Sequence, residues 1–426
     1  MSLENTLRFI EKLIPAPLFR ALLPLYHWLL AFSGALIYRM PSSKITVIGV
    51  TGTKGKSSVI EMASAIFEEA GYKTALANTI RVKVGKTSEP NMRKLSLPGR
   101  FFVQRFLRRA VRDKCDIAFV EMTSEGVPQH RHRFLALDAL IFTGLHKEHI
   151  EAHGSFEKYA EAKLQMGRQL VRSGKRPRTI IANADSPYGE RFLALPVENK
   201  EPFRLRATEP YSTREDGVVF SFGGANIRVS LPGTFTICNA LSAATLARVF
   251  EIPHEKIARA LARIKTIPGR TEAINEGQVF TAIIDYAHTP DSLRALYEAY
   301  EGKRKICVLG STGGGRDKWK RPEMGKIAEE YCAHVILTDE DPYDEDPRAI
   351  VEEIAGGMST KPTILMNRRE AIEKALSLAQ AGDAVLITGK GTDPYIMRAR
   401  GERELWSDAG VTRTALKALV DSQKRM

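Results

Sequence analysis

Apolar residues in this chain fall into short unbroken runs separated by stretches of helical spacing, and that alternation predicts a mixed α/β protein. Residues 45–50 read as a buried strand. Behind them Val59, Met62, Ala63, Ile66, Phe67 and Ala70 recur at the period of an amphipathic helix. Residues 117–120 and 139–143 read as further core strands. Beyond Pro268 the alternation starts afresh, with strands predicted at 279–286, 305–310, 334–338, 362–366 and 384–389, and helical stretches such as 291–301 and 369–380 between them. Repeated strand–helix units imply mostly parallel sheets covered on both faces, which gather ligands at the carboxyl ends of their strands. Three segments are expected: an apolar helical extension at 1–43, a central domain at 44–266 and a C-terminal domain at 267–426.

Within the extension, residues 21–38 carry no charged side chain apart from a protonated His27, and Pro24 interrupts them. The run sits at the lower edge of a membrane span. Three placements stay open: a helix packed on the protein or on a second copy, a helix lying on a membrane surface, and a true span. A secretory signal is excluded, because Glu4 and Glu11 occupy the would-be basic end and no small-residue cleavage site follows.

At 426 residues, 27% charged and 43% hydrophobic, the chain has the composition of a soluble globular protein with more than one core. Its formal charge of +13 admits nucleic acid, anionic lipid or a polyanionic small substrate. Arg100, Arg105, Arg108, Arg109 and Arg112 stud one helix together with Phe101, Phe102, Phe106 and Leu107; the bland reading is a solvated basic face. No RNA-binding signature accompanies them, so a nucleic-acid partner is not expected. Cys115, Cys238, Cys307 and Cys332 lie far apart without a C-x-x-C pair, which indicates neither a disulfide framework nor a zinc ribbon and fits a reducing cytoplasm.

The first strand and helix are joined by GVTGTKGKSS at 49–58. Gly52 and Gly55 let backbone N–H groups approach phosphate oxygens, Lys56 supplies a point charge, Ser57 can ligate magnesium, and the helix start adds its positive dipole end. Val50 stands where the strict phosphate-loop pattern has glycine, but strand, loop, lysine, hydroxyl and helix follow in order. A nucleoside triphosphate site is expected.

Glu121 should lie beside that loop, at the end of the 117–120 strand. Five of the nine histidines, His130, His132, His146, His149 and His153, crowd the following segment and suggest metal or phosphate chemistry. No H-E-x-x-H helix supports zinc, and magnesium with ATP favours oxygen ligands, so Glu121 with one histidine is the more economical set. If Ser155 caps a helix running to Leu170, then Phe156, Tyr159, Ala160, Lys163 and Gly167 share one face, placing an amine on an apolar stripe. Periodicity alone favours a lysine that snorkels to solvent. The other reading is a desolvated, partly neutral amine able to take up carbon dioxide as a carbamate.

These motifs together resemble the Mur ligases, the ATP-dependent amide-forming enzymes of peptidoglycan precursor synthesis, and most nearly the type that adds the third residue of the stem peptide. The loop TGTKGKS at 51–57 is similar to the family's TGTNGKT, EMTS at 121–124 to EVSS, FTGLHKEH at 142–149 to FTNLxxDH, and YAEAK at 159–163 to YxxAK. PGR at 268–270 with Glu272, DYAHTP at 285–290, RDKWKRP at 316–322 and GKGTD at 389–393 follow in order. The resemblance implies a central P-loop ATPase domain with a mostly parallel sheet and a C-terminal Rossmann-like α/β domain. It implies that Gly52, Thr53, Lys54, Gly55, Lys56, Ser57 and Ser58 hold the phosphates, Asn239 meets adenine, Arg270 the γ-phosphate and Asp285 the ribose, with His288 close to the nucleotide. Glu121 and His149, with Ser57, would hold magnesium, and Lys163 would be carbamylated, which reverses the reading from periodicity. An acceptor carboxylate, that of a muramoyl peptide, would attack ATP to give an acyl phosphate, and an amino acid would displace phosphate.

Two departures stand out. Typical members begin with a domain that grips the uridine diphosphate of the acceptor, and residues 1–43 are too few to form one. Members that add diaminopimelate carry D-N-P-R, whereas this chain has Glu340-Asp341-Pro342-Tyr343. A tyrosine cannot make arginine's bidentate pair with a distal carboxylate. Glu340, Asp341, Tyr343, Lys390 and Asp393 are therefore the expected amino-acid pocket, with Asp339, Asp344, Glu345 and Asp346 nearby in sequence, suited to a cationic side chain such as lysine; a solvated acidic loop is the alternative. Folylpolyglutamate and poly-γ-glutamate synthases share the core and remain alternatives, as does a non-catalytic homologue held at the inner face of a membrane by residues 1–40.

Overall fold

The computed structural model describes residues 16–94, 99–148 and 150–423. Its first sheet contains β1 (Thr46–Thr51), β2 (Thr74–Ala77), β3 (Arg81–Val84), β4 (Thr87–Pro90), β5 (Ile117–Glu121), β6 (Ala139–Phe142), β7 (Thr179–Asn183) and β8 (Asn199–Phe203) in the order β4-β3-β2-β5-β1-β6-β7-β8. All neighbours are parallel except in the β2–β3–β4 meander. The central strands are apolar on both faces because both faces are covered. Ile48 and Val50 pack toward the helices Lys56–Glu69 and Thr234–Val249, while Val47 packs toward Arg100–Arg112 and Phe156–Val171. Val59, Met62, Ala63, Ile66 and Phe67 of the expected amphipathic helix are fully buried.

A small antiparallel sheet of β9 (Ser212–Arg214), β10 (Gly217–Phe222) and β11 (Ala225–Val229) lies outside the expected pattern of βα units. Gly223 and Gly224, both at positive φ, turn the β10–β11 hairpin, and Val218, Phe220, Phe222, Ile227 and Val229 extend the core on one face of the large sheet.

The last third builds a second sheet from β12 (Glu272–Ile274), β13 (Thr281–Ile284), β14 (Lys305–Leu309), β15 (His334–Leu337), β16 (Thr363–Ile364) and β17 (Ala384–Ile387), in the order β12-β13-β17-β14-β15-β16. Only β12 runs antiparallel. A ribbon of β18 (Tyr395–Met397) and β19 (Arg403–Leu405) follows, then the helix Asp408–Gln423.

No helix among the described residues is long and apolar enough to cross a membrane, which leaves the packed and membrane-surface placements for the helix Ala16–Ile37, which continues through Pro24. One expectation needs correction. Cys307 on β14 and Cys332, just past the helix Lys320–Tyr331, are joined by a disulfide with Cα atoms 6.2 Å apart, where the spacing had indicated none. The strand–helix crossover returns residue 332 beside the strand it left, a proximity invisible in a separation of 25 residues.

Among the charged contacts of the second sheet, Arg368 and Asp408 are both buried and form two parallel hydrogen bonds of 2.8 and 2.7 Å that tie the helix Arg368–Ser377 to the helix Asp408–Gln423. Removing one partner strands the other charge in the core, so Asp408→Ala should lower stability by about 3–5 kcal/mol. Arg348→Ala, which breaks an exposed pair with Glu352 on one helix, should cost less than about 0.5 kcal/mol. Urea unfolding of both variants checks the contrast.

Candidate active site

The parallel register sets the site. Val50 pairs with Glu121 and Thr51 with Phe142, so the loop after β1, the end of β5 and the start of the β6 loop reach one edge of the sheet together. The loop bends through Gly52 and Gly55, at φ of 144° and 82°. A Cβ on Gly52 would overlap the Thr143 hydroxyl, and one on Gly55 would overlap the Asn239 side-chain oxygen. The helix then starts at Lys56, whose ammonium donates to the Thr53 carbonyl at 2.9 Å; Ser57 and Ser58 are buried in its first turn. Thr143 donates to the Lys54 carbonyl at 2.6 Å, and the Thr53 hydroxyl meets Tyr159 Oη at 2.9 Å, which locks the loop against the sheet and the Phe156–Val171 helix.

Ser57 donates its hydroxyl to Glu121 Oε2 at 2.7 Å, and Thr79 donates both its backbone N–H and its hydroxyl to the same carboxylate at 3.0 Å. Thr79 was not singled out in the sequence. It follows β2, which pairs with β5 from Thr74–Ile117 to Ala77–Val120, and so arrives level with Glu121. Ser57, Thr79 and Glu121 make an all-oxygen donor group of the kind magnesium takes.

Ser155 caps the helix Phe156–Val171 as expected, accepting the Lys158 N–H. Lys163 does not snorkel to solvent; it is buried, with its ammonium 5.0 Å from the centre of the Tyr159 ring. Burial, then the charge of Lys56, hold its pKa well below the usual lysine value, against the opposing influence of Glu148, Glu125 and Glu121. The four described histidines of the crowd do not assemble. His146 faces Asp291 at 3.2 Å, His153 stacks near Tyr159, and His130 and His132 lie together elsewhere, with burial pushing His132 down to about 3. Among the described residues no group of three or more His, Cys, Asp or Glu could hold a metal. His149 lies outside the described residues.

The C-terminal half closes over this edge. His288 Nε2 meets Glu148 Oε1 at 2.9 Å, and Lys320 donates to the His288 carbonyl at 3.0 Å. Asp317 accepts the Ile150 and Glu151 N–H groups, and Arg316 pairs with Glu125 at 3.0 Å. Lys54 reaches Asp291 at 3.7 Å; the His146 hydrogen bond and Lys54 pull that carboxyl down to about 2. Glu148, buried at the centre of these contacts, also escaped the sequence reading, although it fills the acidic position before the histidine in the 142–149 motif. Asp285 accepts the Thr271 and Ala287 N–H groups at 2.7 Å, and the Arg270 guanidinium stacks 4.3 Å from the Tyr286 ring centre.

The acidic segment divides. Asp344 and Asp346 are exposed, the latter capping a helix, and Glu345 turns to Arg321 and Lys318. Asp339 pairs with Arg398. Glu340 is buried, accepting the Thr312 hydroxyl with one oxygen while the other meets Gly389 without a hydrogen bond among the described residues. Asp341 accepts from fully buried Lys390 at 2.8 Å, and Lys94, from the loop after β4, enters to pair with both Asp341 and Asp393. Tyr343 stands 6.0 Å from the same ammonium. Nothing in the sequence neighbourhood of Lys94 announced its place in this cluster.

Two family models match this chain: the Mur ligase middle domain over residues 50–247 and the Mur ligase glutamate ligase domain over 269–391. A UDP-N-acetylmuramoyl-L-alanyl-D-glutamate–2,6-diaminopimelate ligase of Syntrophomonas wolfei is 36% identical over 382 residues, covering 86% of this chain and 77% of the relative. A UDP-N-acetylmuramyl-tripeptide synthetase of Roseiflexus is 34% identical over 437 residues, covering 95% and 85%. The chain belongs to the Mur ligase family, a family of ATP-dependent ligases. Among solved structures, a diaminopimelate ligase of the same kind superposes with a TM-score of 0.59 at 25% identity, covering 88% of this chain and 79% of that one. A folylpolyglutamate synthase of Mycobacterium tuberculosis gives 0.68 at 18% identity, covering 92% and 98%, which shows the shared fold.

The loop geometry makes a direct prediction. Gly55→Ala must either hold a strained positive φ, at about 1–3 kcal/mol, or move the loop away from Asn239. Nucleotide affinity measured by calorimetry should fall about tenfold or more, while Gly71→Ala, which bears a like strain at φ of 102° away from the loop and with open space around it, should leave affinity unchanged.

Proposed function

We propose that this protein is an ATP-dependent, ADP-forming ligase that joins an amino acid to the carboxylate of a muramoyl-peptide acceptor in peptidoglycan synthesis. The observation that carries the reading is the meeting of the Ser57–Glu121–Thr79 oxygen group, Lys56 and desolvated Lys163 at the phosphate-loop edge, with His288, Arg316 and Lys320 closing from the other half. The names of the curated relatives support the acceptor class. The division at 44–266 and 267–426 is supported by the two large sheets, whose strands fall on either side of it.

Lys56 and Arg270 offset negative charge on the γ-phosphate of ATP while the acceptor carboxylate attacks it; ADP leaves and an acyl phosphate remains. The amine of the incoming amino acid then adds to the acyl carbon and inorganic phosphate departs. Asn239 and Asp285 orient adenine and ribose. Ser57 and Glu121, with His149 and Lys163 as its carbamate, are the residues that would hold magnesium, which supplies charge neutralisation to the phosphates. This is positional and electrostatic catalysis, with water excluded by closure of the two halves. The Lys163 carbamate forms when the neutral amine attacks carbon dioxide and loses a proton, turning a cation into an anionic oxygen donor; the depressed pKa of Lys163 supports it.

The amine pocket favours an amino acid without a distal carboxylate. Lys94 supports this, because it already places a primary ammonium between Asp341 and Asp393, the arrangement a substrate lysine side chain would adopt on displacing it. The apolar outer face of the helix Ala16–Ile37 supports a peripheral position at a membrane.

Phosphate release should require ATP, magnesium, acceptor and amino acid together, and Lys56→Ala should reduce it at least about 100-fold with the fold intact by circular dichroism. Across amino acids, lysine should exceed diaminopimelate by about 10- to 100-fold, with Tyr343→Arg narrowing the gap; preferred turnover of diaminopimelate would refute the pocket reading. Because carbamylation needs the neutral amine, activity should fall as pH drops through the lowered Lys163 pKa and recover in part with added bicarbonate. Labelled bicarbonate should give a carbamate resonance that Lys163→Ala removes.

A further inference from the structure

The helix Ala16–Ile37 is attached to the protein by the wrong face for an ordinary surface helix. Its small residues point inward: Ala31 and Ala35 are buried, and the Cβ position of Gly34 lies 3.6 Å from the Phe101 ring at the start of the helix Arg100–Arg112. Trp28 and Phe32 also pack on Phe134, but Leu22, Leu25, Leu29 and Leu36 point outward on one stripe at helical spacing, 45–59% exposed. A helix that only packs on its own protein buries its leucines. The stripe carries no acidic residue.

Just past the end of this helix, Tyr38 lines a cavity of about 610 Å³ between the β3–β4 hairpin and the Arg100–Arg112 helix, together with Arg93, Arg105, Arg108, Arg109 and Arg112. Glu89 is the acid in that lining, and it lies 3.8 Å from Arg109. Arg105 and Arg108 make no ion pair among the described residues. Phe102 and Phe106 add apolar wall, with Arg93 stacked 5.0 Å from the Phe102 ring. An apolar stripe on a helix that ends beside a cationic, partly aromatic cavity is complementary to an amphiphile with an anionic head and hydrocarbon tails.

We propose that this face docks on an anionic phospholipid surface, the arginine cavity taking a lipid phosphate while Leu22, Leu25, Leu29 and Leu36 enter the acyl boundary. The helix lies on the bilayer rather than through it, consistent with no helix among the described residues being long and apolar enough to cross a membrane. Nothing in this surface uses the ATP site, so the docking face stands or falls independently of the ligase reading.

The test is co-sedimentation of the full chain with vesicles of phosphatidylcholine alone and of phosphatidylcholine with phosphatidylglycerol. Binding is expected to the anionic vesicles and to weaken as salt rises. Arg105→Glu with Arg108→Glu should weaken it at least about 25-fold, near fivefold or more for each arginine. Leu25→Ser with Leu29→Ser should abolish it, with nucleotide affinity unchanged in both variants. Equal binding to both vesicle types overturns the phosphate role. No vesicle binding, with Leu25→Ser and Leu29→Ser converting a dimer to a monomer in analytical ultracentrifugation, overturns the proposal in favour of a second copy on the stripe. Saturable binding of inorganic pyrophosphate that Arg105→Glu with Arg108→Glu removes, without vesicle binding, overturns it in favour of a soluble anion.

Discussion

The structure turns on a single carboxylate held at the mouth of the phosphate loop. Glu121 accepts the Ser57 hydroxyl and both donors of Thr79, so its oxygens are fixed by β1, β2 and β5 at once. A glutamate on a flexible surface loop would not be held in one geometry; at the level ends of three parallel strands it is. Around it the charges alternate, with Lys56 and Lys163 behind and Glu125 and Glu148 facing the other half of the chain. Each buried charge at this edge depends on another for its solvation, so loss of one propagates.

The same dependence explains how two separately folded sheets come to share a site. The contacts across the interface are mostly charged or charge-assisted: Glu148 with His288, Asp317 with two backbone N–H groups at the start of a short helix, Arg316 with Glu125, Lys94 with Asp341 and Asp393. Interfaces of this kind are specific in register yet open more readily than apolar ones. A ligase that must admit ATP, an acceptor and an amine, and then exclude water, has use for such a joint.

Much of this was legible in the sequence, and the reasons are local. The strand–loop–helix at 45–70, the strand end at Glu121 and the capped helix carrying Lys163 are each contained in one short window, where periodicity and turn chemistry suffice. The βα alternation after Pro268 was readable for the same reason. Thr79, Glu148 and Lys94 were not, because each becomes a site residue only through pairing with a distant element: β2 with β5, the β6 loop with His288, the loop after β4 with Asp341. The Cys307–Cys332 disulfide and the β9–β11 sheet belong to the same class. The described histidines go the other way, since their crowding in sequence did not become crowding in space. Lys163 is instructive in both directions: spacing alone pointed to solvent, and the surrounding helix and strand ends bury it.

The central claim is that an acceptor carboxylate is activated by direct attack on the γ-phosphate within this edge. It is tested most directly by following heavy-oxygen label placed in the acceptor carboxylate through a single turnover. Transfer of one labelled oxygen to inorganic phosphate is the result required by acyl-phosphate formation. Label appearing in AMP, or retained wholly in the acceptor while ATP is hydrolysed, would contradict it.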